Sequence, residues 1–396
     1  MNKLFSDRIS DVPQSFIREI LKVAVDPNII SFAGGLPNRD LFPVAALKKA
    51  TNDVFDSAGK DILQYSNTEG YLPLREYIAA RYKKHEGLDI DPADILITSG
   101  SQQGLDLLGK TLLNEGDDVI IEEPGYLGAI QAFSVYKSKF NPVPVGSQGL
   151  DVSAFEETLS KVDAKLFYAV PNFQNPSGVS YPEQNRHDVA AALAKSATLI
   201  IEDNPYGDLR FSGKQATSFK ALIPEQTVLL GSFSKTVVPA FRLGWIVAPK
   251  ALMEKLVIAK QASDLHTNYF SQRVLFEFLS QNDLDAHVAN IIKVYGEQKN
   301  AMERAIKKYF PAEVTCTEPE GGMFLWATLP EGMDARALFD VAIEEKVAFV
   351  PGAPFYVSKT ATNTLRLNFS SVDPATIEEG IKRLGRVIQS QLPYLV

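Results

Sequence analysis

Lys235 ends the run Gly231-Ser232-Phe233-Ser234-Lys235, directly after an apolar stretch at 227–231, and Arg242 follows seven residues on. A lysine at the end of a buried strand is unusual, because lysine is seldom buried unpaired. It is also a nucleophile once neutral, and serine hydroxyls with an arginine are phosphate-binding groups. Three other polar runs follow apolar stretches in the same way. Thr98-Ser99-Gly100-Ser101-Gln102 follows 95–98 and opens a helical pattern, Asn172-Phe173-Gln174-Asn175-Pro176-Ser177-Gly178 follows 165–170, and Asp203-Asn204-Pro205-Tyr206 follows 197–202. Each has a plainer explanation. Ser101 suits a helix N-cap, the Asn, Pro and Gly residues suit turns, and Arg242 alone suits the surface.

Taken together, these runs hold a lysine, a carboxylate, amide and phenol donors, and an anion pocket of small residues at a helix start. A planar aldehyde cofactor carrying a phosphate needs that inventory. The lysine forms a Schiff base, the carboxylate keeps a pyridine nitrogen protonated, and the serines, Arg242 and N–H groups take the phosphate. The cofactor this implies is pyridoxal 5′-phosphate.

The elements that must position these residues follow one grammar. Apolar runs at 95–98, 118–122, 140–145, 165–170, 197–202, 227–231 and 243–248 alternate with helical patterns such as 101–113 and 184–195. This predicts an α/β fold, a mostly parallel seven-stranded sheet sandwiched by helices. The stretch between 231 and 243 contains Pro239 and is too short for a crossover helix, so one strand of that pair is expected to run antiparallel. Ligands of such sheets sit beyond the carboxyl ends of the strands. Residues 250–310 read as long helices, and the stretch from 312 mixes short strands with helices as a second, smaller α+β domain. The expected organisation is an N-terminal helix and arm over 1–45, a large domain over 46–295, and a small domain over 296–396 that takes in the arm.

Composition removes several function classes. The 396 residues carry 40 Lys and Arg against 48 Asp and Glu, a net charge of −8, which argues against nucleic-acid binding. The single Cys316 forms no internal disulfide, and His85, His187, His266 and His287 lack metal-ligand spacing, so no metal is expected. No uninterrupted apolar run reaches about 18 residues, so no membrane span is expected. The N-terminus lacks a signal-peptide pattern, and the expected location is cytoplasmic.

Over roughly 10–395 the chain resembles the class I/II aminotransferases of PLP fold type I, the aspartate-aminotransferase-like fold. The carrying pieces, in order, are SFAGGLP at 31–37, YSNTEGYLPLRE at 65–76, TSGSQQGL at 98–105, EPGYLG at 123–128, NFQNPSG at 172–178, EDNPY at 202–206, GSFSK at 231–235, FRLGW at 241–245 and NTLRLNF at 363–369. IREIL at 17–21, AKQASDLHT at 259–267, GGMFLW at 321–326 and VAFVPGAPF at 347–355 make it most similar to the 2-aminoadipate/aromatic, LysN-like group.

The resemblance implies roles. Lys235 would be the Schiff-base lysine and proton shuttle, with Asp203 on the pyridine nitrogen. Asn175 and Tyr206 would lie on the ring oxygen and Tyr126 on the ring face. Ser101, Gln102, Ser232, Ser234 and Arg242 would bind the phosphate, joined by Tyr65 from a neighbouring subunit of a homodimer. Arg366 would grip the substrate α-carboxylate, Gly34 and Gly35 would line the pocket, and Arg18 would read an acidic side chain. The implied reaction moves the amino group of an α-amino acid (2-aminoadipate, aromatic, or branched and aliphatic) to a 2-oxo acid, 2-oxoglutarate.

Other functions compete. Ser232-Phe233-Ser234-Lys235 also fits the S-x-x-K of penicillin-binding enzymes, but a KTG element is absent and Pro239 disfavours a helix after Ser232. A non-enzymatic effector-sensing domain, like the module fused to MocR-type regulators, would keep Lys235 and the phosphate pocket. A β-lyase, decarboxylase or acyl-transferase on the same fold would share the whole cofactor site.

Overall fold

The computed structural model describes residues 4–10, 26–359 and 361–392. Its strands in chain order are β1 (Ile30–Ser31), β2 (Ile95–Thr98), β3 (Asp118–Glu123), β4 (Lys139–Gly146), β5 (Gly149–Leu150), β6 (Ala164–Ala169), β7 (Leu199–Asp203), β8 (Thr227–Ser232), β9 (Gly244–Val247), β10 (Thr315–Cys316), β11 (Phe324–Thr328), β12 (Val347–Ala348), β13 (Val350–Pro351) and β14 (Thr364–Asn368).

The large sheet has the order β2-β9-β8-β7-β6-β3-β4-β5. The seven expected strands are all present. The eighth, β5, is a two-residue antiparallel return of β4 that is too short to carry an apolar run. The pairs β3–β4, β3–β6, β6–β7 and β7–β8 are parallel, whereas β9 runs antiparallel to both β8 and β2. The short β8–β9 link, with one 3₁₀ turn at Pro239–Phe241, forces that reversal. As a result β2, β3, β6, β7 and β8 all end at one edge, and the start of β9 lies at that same edge.

Both faces of the sheet are covered, which is why its strands read as nearly continuous apolar runs. Ile120, Phe167 and Ile200 point to one side, against Phe155, Val189, Leu193 and Phe219. Their chain neighbours Val119, Ile121, Leu166, Tyr168 and Ile201 point to the other side, into a core with Leu105, Leu108 and Leu256. This is the two-residue period of a strand. Helix Ser101–Leu112 begins one residue earlier than a Ser101 cap requires. Gly100 is its N-cap, and no side chain caps it.

A second sheet, β10-β11-β14-β13, is antiparallel throughout. The arm joins this region through the parallel pair β1–β12, and the Asn368 N–H donates to the Phe32 carbonyl. Helix Leu284–Tyr309 packs on helix Pro374–Gln391 and runs without a break through the position where the large domain was expected to end. Among the described residues, no helix is long and apolar enough to cross a membrane, and no group of three His, Cys, Asp or Glu is placed to hold a metal.

Candidate active site

A cavity of about 450 Å³ opens at the carboxyl edge of the large sheet, facing the small one. Gly35, Ser101, Gln102, Tyr126, Asn175, Asp203, Tyr206, Ser232, Ser234, Lys235, Arg242 and Arg366 all line it. A larger cleft of about 750 Å³, lined by residues such as Tyr181, Arg210, Cys316 and Trp326, contains none of the expected site residues.

Strand ends explain most of this convergence. Asp203 is the last residue of β7 and Ser232 the last of β8, while Lys235 lies in the turns that follow; the stretch after Ser232 does not form the helix that S-x-x-K chemistry needs. Arg242 precedes the reversed strand β9 and so reaches the same edge. Its φ of 51° is left-handed, a cost of roughly 1–2 kcal/mol for a non-glycine residue that the surroundings must hold. Across from it, Gly100 has φ +77°, and a Cβ there would collide with Arg242 Nη2. The glycine therefore lets the guanidinium lie against the start of helix Ser101–Leu112. Free N–H groups and a cation meet there, a cradle for a dianion.

Arg366 comes from β14 of the small sheet and is buried. Its Nη1 donates to Asn175 Oδ1 at 2.7 Å, and its Nη2 donates to the Ala33 carbonyl at 2.8 Å. Its guanidinium carbon lies 4.3 Å from the Phe324 ring centroid and 5.3 Å from that of Phe355. Nε is buried with no partner, and with one N–H of each Nη committed, three of the five guanidinium N–H groups remain unspent. Burial pushes the guanidinium down to about 10, which still leaves it charged near neutrality.

Lys235 Nζ donates to the Gly35 carbonyl at 2.8 Å and lies 5.9 Å from the Tyr206 ring centroid. Burial first, then the charges of Arg366 and Arg242, push the ammonium down to about 8. Asn175 Nδ2 donates to the Tyr206 hydroxyl at 3.4 Å, and burial raises that phenol. Tyr126 stacks near Tyr168, with centroids 6.4 Å apart and planes at 26°, and burial pushes it up to about 12.

Asp203 is 2% exposed. The Tyr168 hydroxyl donates to its Oδ2 at 2.7 Å, while Oδ1 is buried with no partner. Burial pushes the carboxyl up to about 7, against the lowering effect of Tyr168. A buried carboxylate oxygen with no donor is costly, and a protonated ring nitrogen is the kind of donor it lacks. The bare oxygen, the cradle at Gly100 and the depressed lysine all fit pyridoxal phosphate.

Two expected residues do not line this chain's cavity. Gly34 is buried beside the arm's backbone and does not line the cavity, because Gly35 takes that place. Tyr65 is 79% exposed, edge-on to the His266 ring at 5.9 Å, and does not reach its own chain's cavity. Arg18 lies outside the described residues. Sequence reasoning missed Tyr168, Phe324 and Phe355. Tyr168 carried a faint signal, as the one hydroxyl among the apolar residues 166–170. The two phenylalanines carried none, since core residues look the same.

Residues 27–384 match the aminotransferase class I and II family. The chain is 41% identical to aromatic-amino-acid aminotransferase 1 of Thermococcus litoralis, over 98% of this chain and 95% of that protein. The structure of Pyrococcus horikoshii kynurenine aminotransferase, solved in complex with PMP and with kynurenine as substrate, superposes with a TM-score of 0.94 at 40% identity, covering 98% of each chain. LysN, the α-aminoadipate aminotransferase of Thermus thermophilus, solved with N-(5′-phosphopyridoxyl)-L-leucine, superposes with a TM-score of 0.92 at 39% identity, covering 100% of this chain and 99% of that one. This chain thus belongs to the class I and II aminotransferases, on the aspartate-aminotransferase-like fold and with pyridoxal 5′-phosphate as its cofactor.

Proposed function

We propose that this enzyme moves the amino group of 2-aminoadipate, aromatic or branched and aliphatic amino acids to 2-oxoglutarate. The observation that carries the reading is Arg366: a buried guanidinium, held by Asn175 and Ala33 with N–H groups to spare, that lines the cavity also holding Lys235. A planar fork in a dry site suits an α-carboxylate bound by two parallel hydrogen bonds.

Lys235 would hold the cofactor covalently through Nζ, Asp203 Oδ1 would hold a proton on its ring nitrogen, and Asn175 and Tyr206 would donate to its ring oxygen. The cradle of Ser101, Gln102, Ser232, Ser234 and Arg242 would take its phosphate. Bound there, the cofactor supplies a ring that stabilises negative charge at the substrate α-carbon. Lys235 Nζ, with its pKa lowered by burial, is the base that takes the α-proton.

Large exposed apolar side chains at Leu63, Tyr65, Leu72 and Leu265 support a homodimer in which Tyr65 completes the partner's phosphate site. The lone thiol supports a reducing, cytoplasmic setting, and the donors place the reaction in amino-acid metabolism. We assign two working bodies, 46–295 and a small one from 1–45 and 296–396. Lys235 sits on the first and Arg366 on the second.

Lys235→Ala should abolish transamination, by roughly 10³-fold or more, while cofactor binding stays measurable; near-parental turnover would end this reading. A donor panel with 2-oxoglutarate, covering 2-aminoadipate, leucine, kynurenine, phenylalanine and alanine, names the substrate. In Arg18→Ala, an equal loss on acidic and apolar donors would remove the proposed role of Arg18.

A further inference from the structure

The loop that carries Asn175 is tied down by a buried carboxylate that does not line the cavity. Glu122, near the end of β3, is 1% exposed. Its Oε1 accepts from the Tyr181 hydroxyl at 2.6 Å and from the Val170 N–H at 3.1 Å, and its Oε2 accepts from Gln174 Nε2 at 2.9 Å. Gln174 is fully buried and spends every polar atom. Its Nε2 also donates to the Pro124 carbonyl at 2.6 Å, and its Oε1 accepts from the Ser177 N–H and hydroxyl. Asn175, the next residue, is the one that bonds Arg366. Pro124 lies two residues before Tyr126. Glu122 and Gln174 therefore join the loop beneath Tyr126 to the loop that aims Asn175.

We propose that Glu122 is a positioning residue for substrate recognition. Through Gln174 it sets the Asn175 Oδ1 that holds the Arg366 fork in place to receive the α-carboxylate. As bonded here all three partners donate to Glu122, an arrangement that suits the ionised carboxylate; burial pushes the carboxyl up to about 7, so it is mostly ionised at pH 8. The loop is anchored separately at its base by Arg186, which donates to the Pro171 carbonyl and to Asn172 Oδ1. Losing the Glu122 link thus frees the turn around Gln174 and Asn175 without releasing the whole loop. The inference rests on the transaminase reading above and deepens it.

The test is Glu122→Gln in the holoenzyme at pH 8. Glutamine is the same size and keeps the acceptor for Tyr181 and Val170, but it turns an amide toward the amide of Gln174, so two donors meet. The expected result is a rise of about tenfold in KM for the donor amino acid, with kcat and the cofactor Kd changed less than about threefold. The double variant Glu122→Gln/Gln174→Glu restores a donor–acceptor pair between the two side chains but sets a carboxylate oxygen against the Pro124 carbonyl, so it should recover part of the KM. Hydrogen exchange in cofactor-free protein gives a readout independent of turnover: amides of 172–178 should exchange about tenfold faster in Glu122→Gln, while those of helix Glu183–Leu193 hold. If that variant fails to fold, Gln174→Met breaks the same link from the other side and carries the same expectation. An unchanged KM with unchanged exchange at 172–178, or a uniform loss that the double variant does not recover, overturns the inference. A parent enzyme that binds cofactor but exchanges no amine would instead overturn the transaminase reading, and the exchange data would still decide the role of Glu122.

Discussion

Replacing Asp203 with asparagine should raise the stability of the cofactor-free protein at alkaline pH while removing its activity. Burial lifts the Asp203 carboxyl from an ordinary 3.8 to about 7. Below 3.8 the folded and unfolded chains both carry the proton, and nothing is lost. Between 3.8 and about 7 the unfolded chain ionises while the folded one keeps its proton, so stability falls as pH rises. Above about 7 the loss is complete. At about 1.36 kcal/mol per pH unit the full loss is about 4 kcal/mol, of which roughly 3 kcal/mol accrues between pH 5 and 8. Asparagine does not titrate. Whatever constant offset its amide brings, the stability of Asp203→Asn relative to the parent should climb by that amount over the range. Urea unfolding of both cofactor-stripped proteins across pH 5 to 8 measures it. Cofactor should cancel the parent's loss by giving Oδ1 its missing donor, while transamination by the variant falls roughly 10²–10³-fold. Parallel stability curves, with a difference flat to within about 0.5 kcal/mol, would refute the reasoning that Asp203 is a destabilised carboxyl awaiting a proton.

Other outcomes follow from the same geometry. Since Lys235 is pushed down to about 8, capture of added cofactor by the stripped protein should quicken about tenfold per pH unit below 8, as the neutral amine grows, and level off above it. A rate still climbing at pH 10, followed by visible absorbance, would contradict this. Arg366→Lys loses the fork and the bond to Asn175, a cost of about 2–3 kcal/mol, read as a rise of roughly 30- to 150-fold in KM for the donor with smaller change for a carboxylate-free amine. Gly100→Ala sets a Cβ against Arg242 at a left-handed φ. It should weaken cofactor binding at least about tenfold and destabilise the fold by roughly 1–2 kcal/mol, by fluorescence titration and thermal melting respectively.

Much of the site was legible because the chain places its polar residues just after apolar runs. The position of Lys235 after 227–231 and of Asp203 at the end of 199–203 needs only the rule that strands end where polarity begins. Arg366 was visible only through its motif, since an arginine inside an apolar strand shows no partner in sequence. Ser101 was read as a cap, yet Gly100 holds that place, because Arg242 presses on the backbone there and leaves no room for a side chain. Gly34 and Gly35 are equivalent in sequence, and only the arm's path, set by β1 and Asn368, turns Gly35 to the cavity. Glu122 and Gln174 could not be found, because a buried acid and an exposed one look alike until their donors are placed.

Local sequence determined the strands, the helices between them, the placing of Ser232, Ser234, Lys235 and Asp203 just beyond strand ends, and, through the shortness of the 231–243 link, the reversal of β9. Each of these rests on interactions among near neighbours: side-chain period, turn chemistry and chain length. Tertiary structure alone decided the electrostatics. The bare oxygen of Asp203, the depressed ammonium of Lys235 and the unsatisfied Nε of Arg366 all come from burial and from partners tens to hundreds of residues away. Desolvation depends on what surrounds a group in space, and that is settled only when the two sheets close on one cavity.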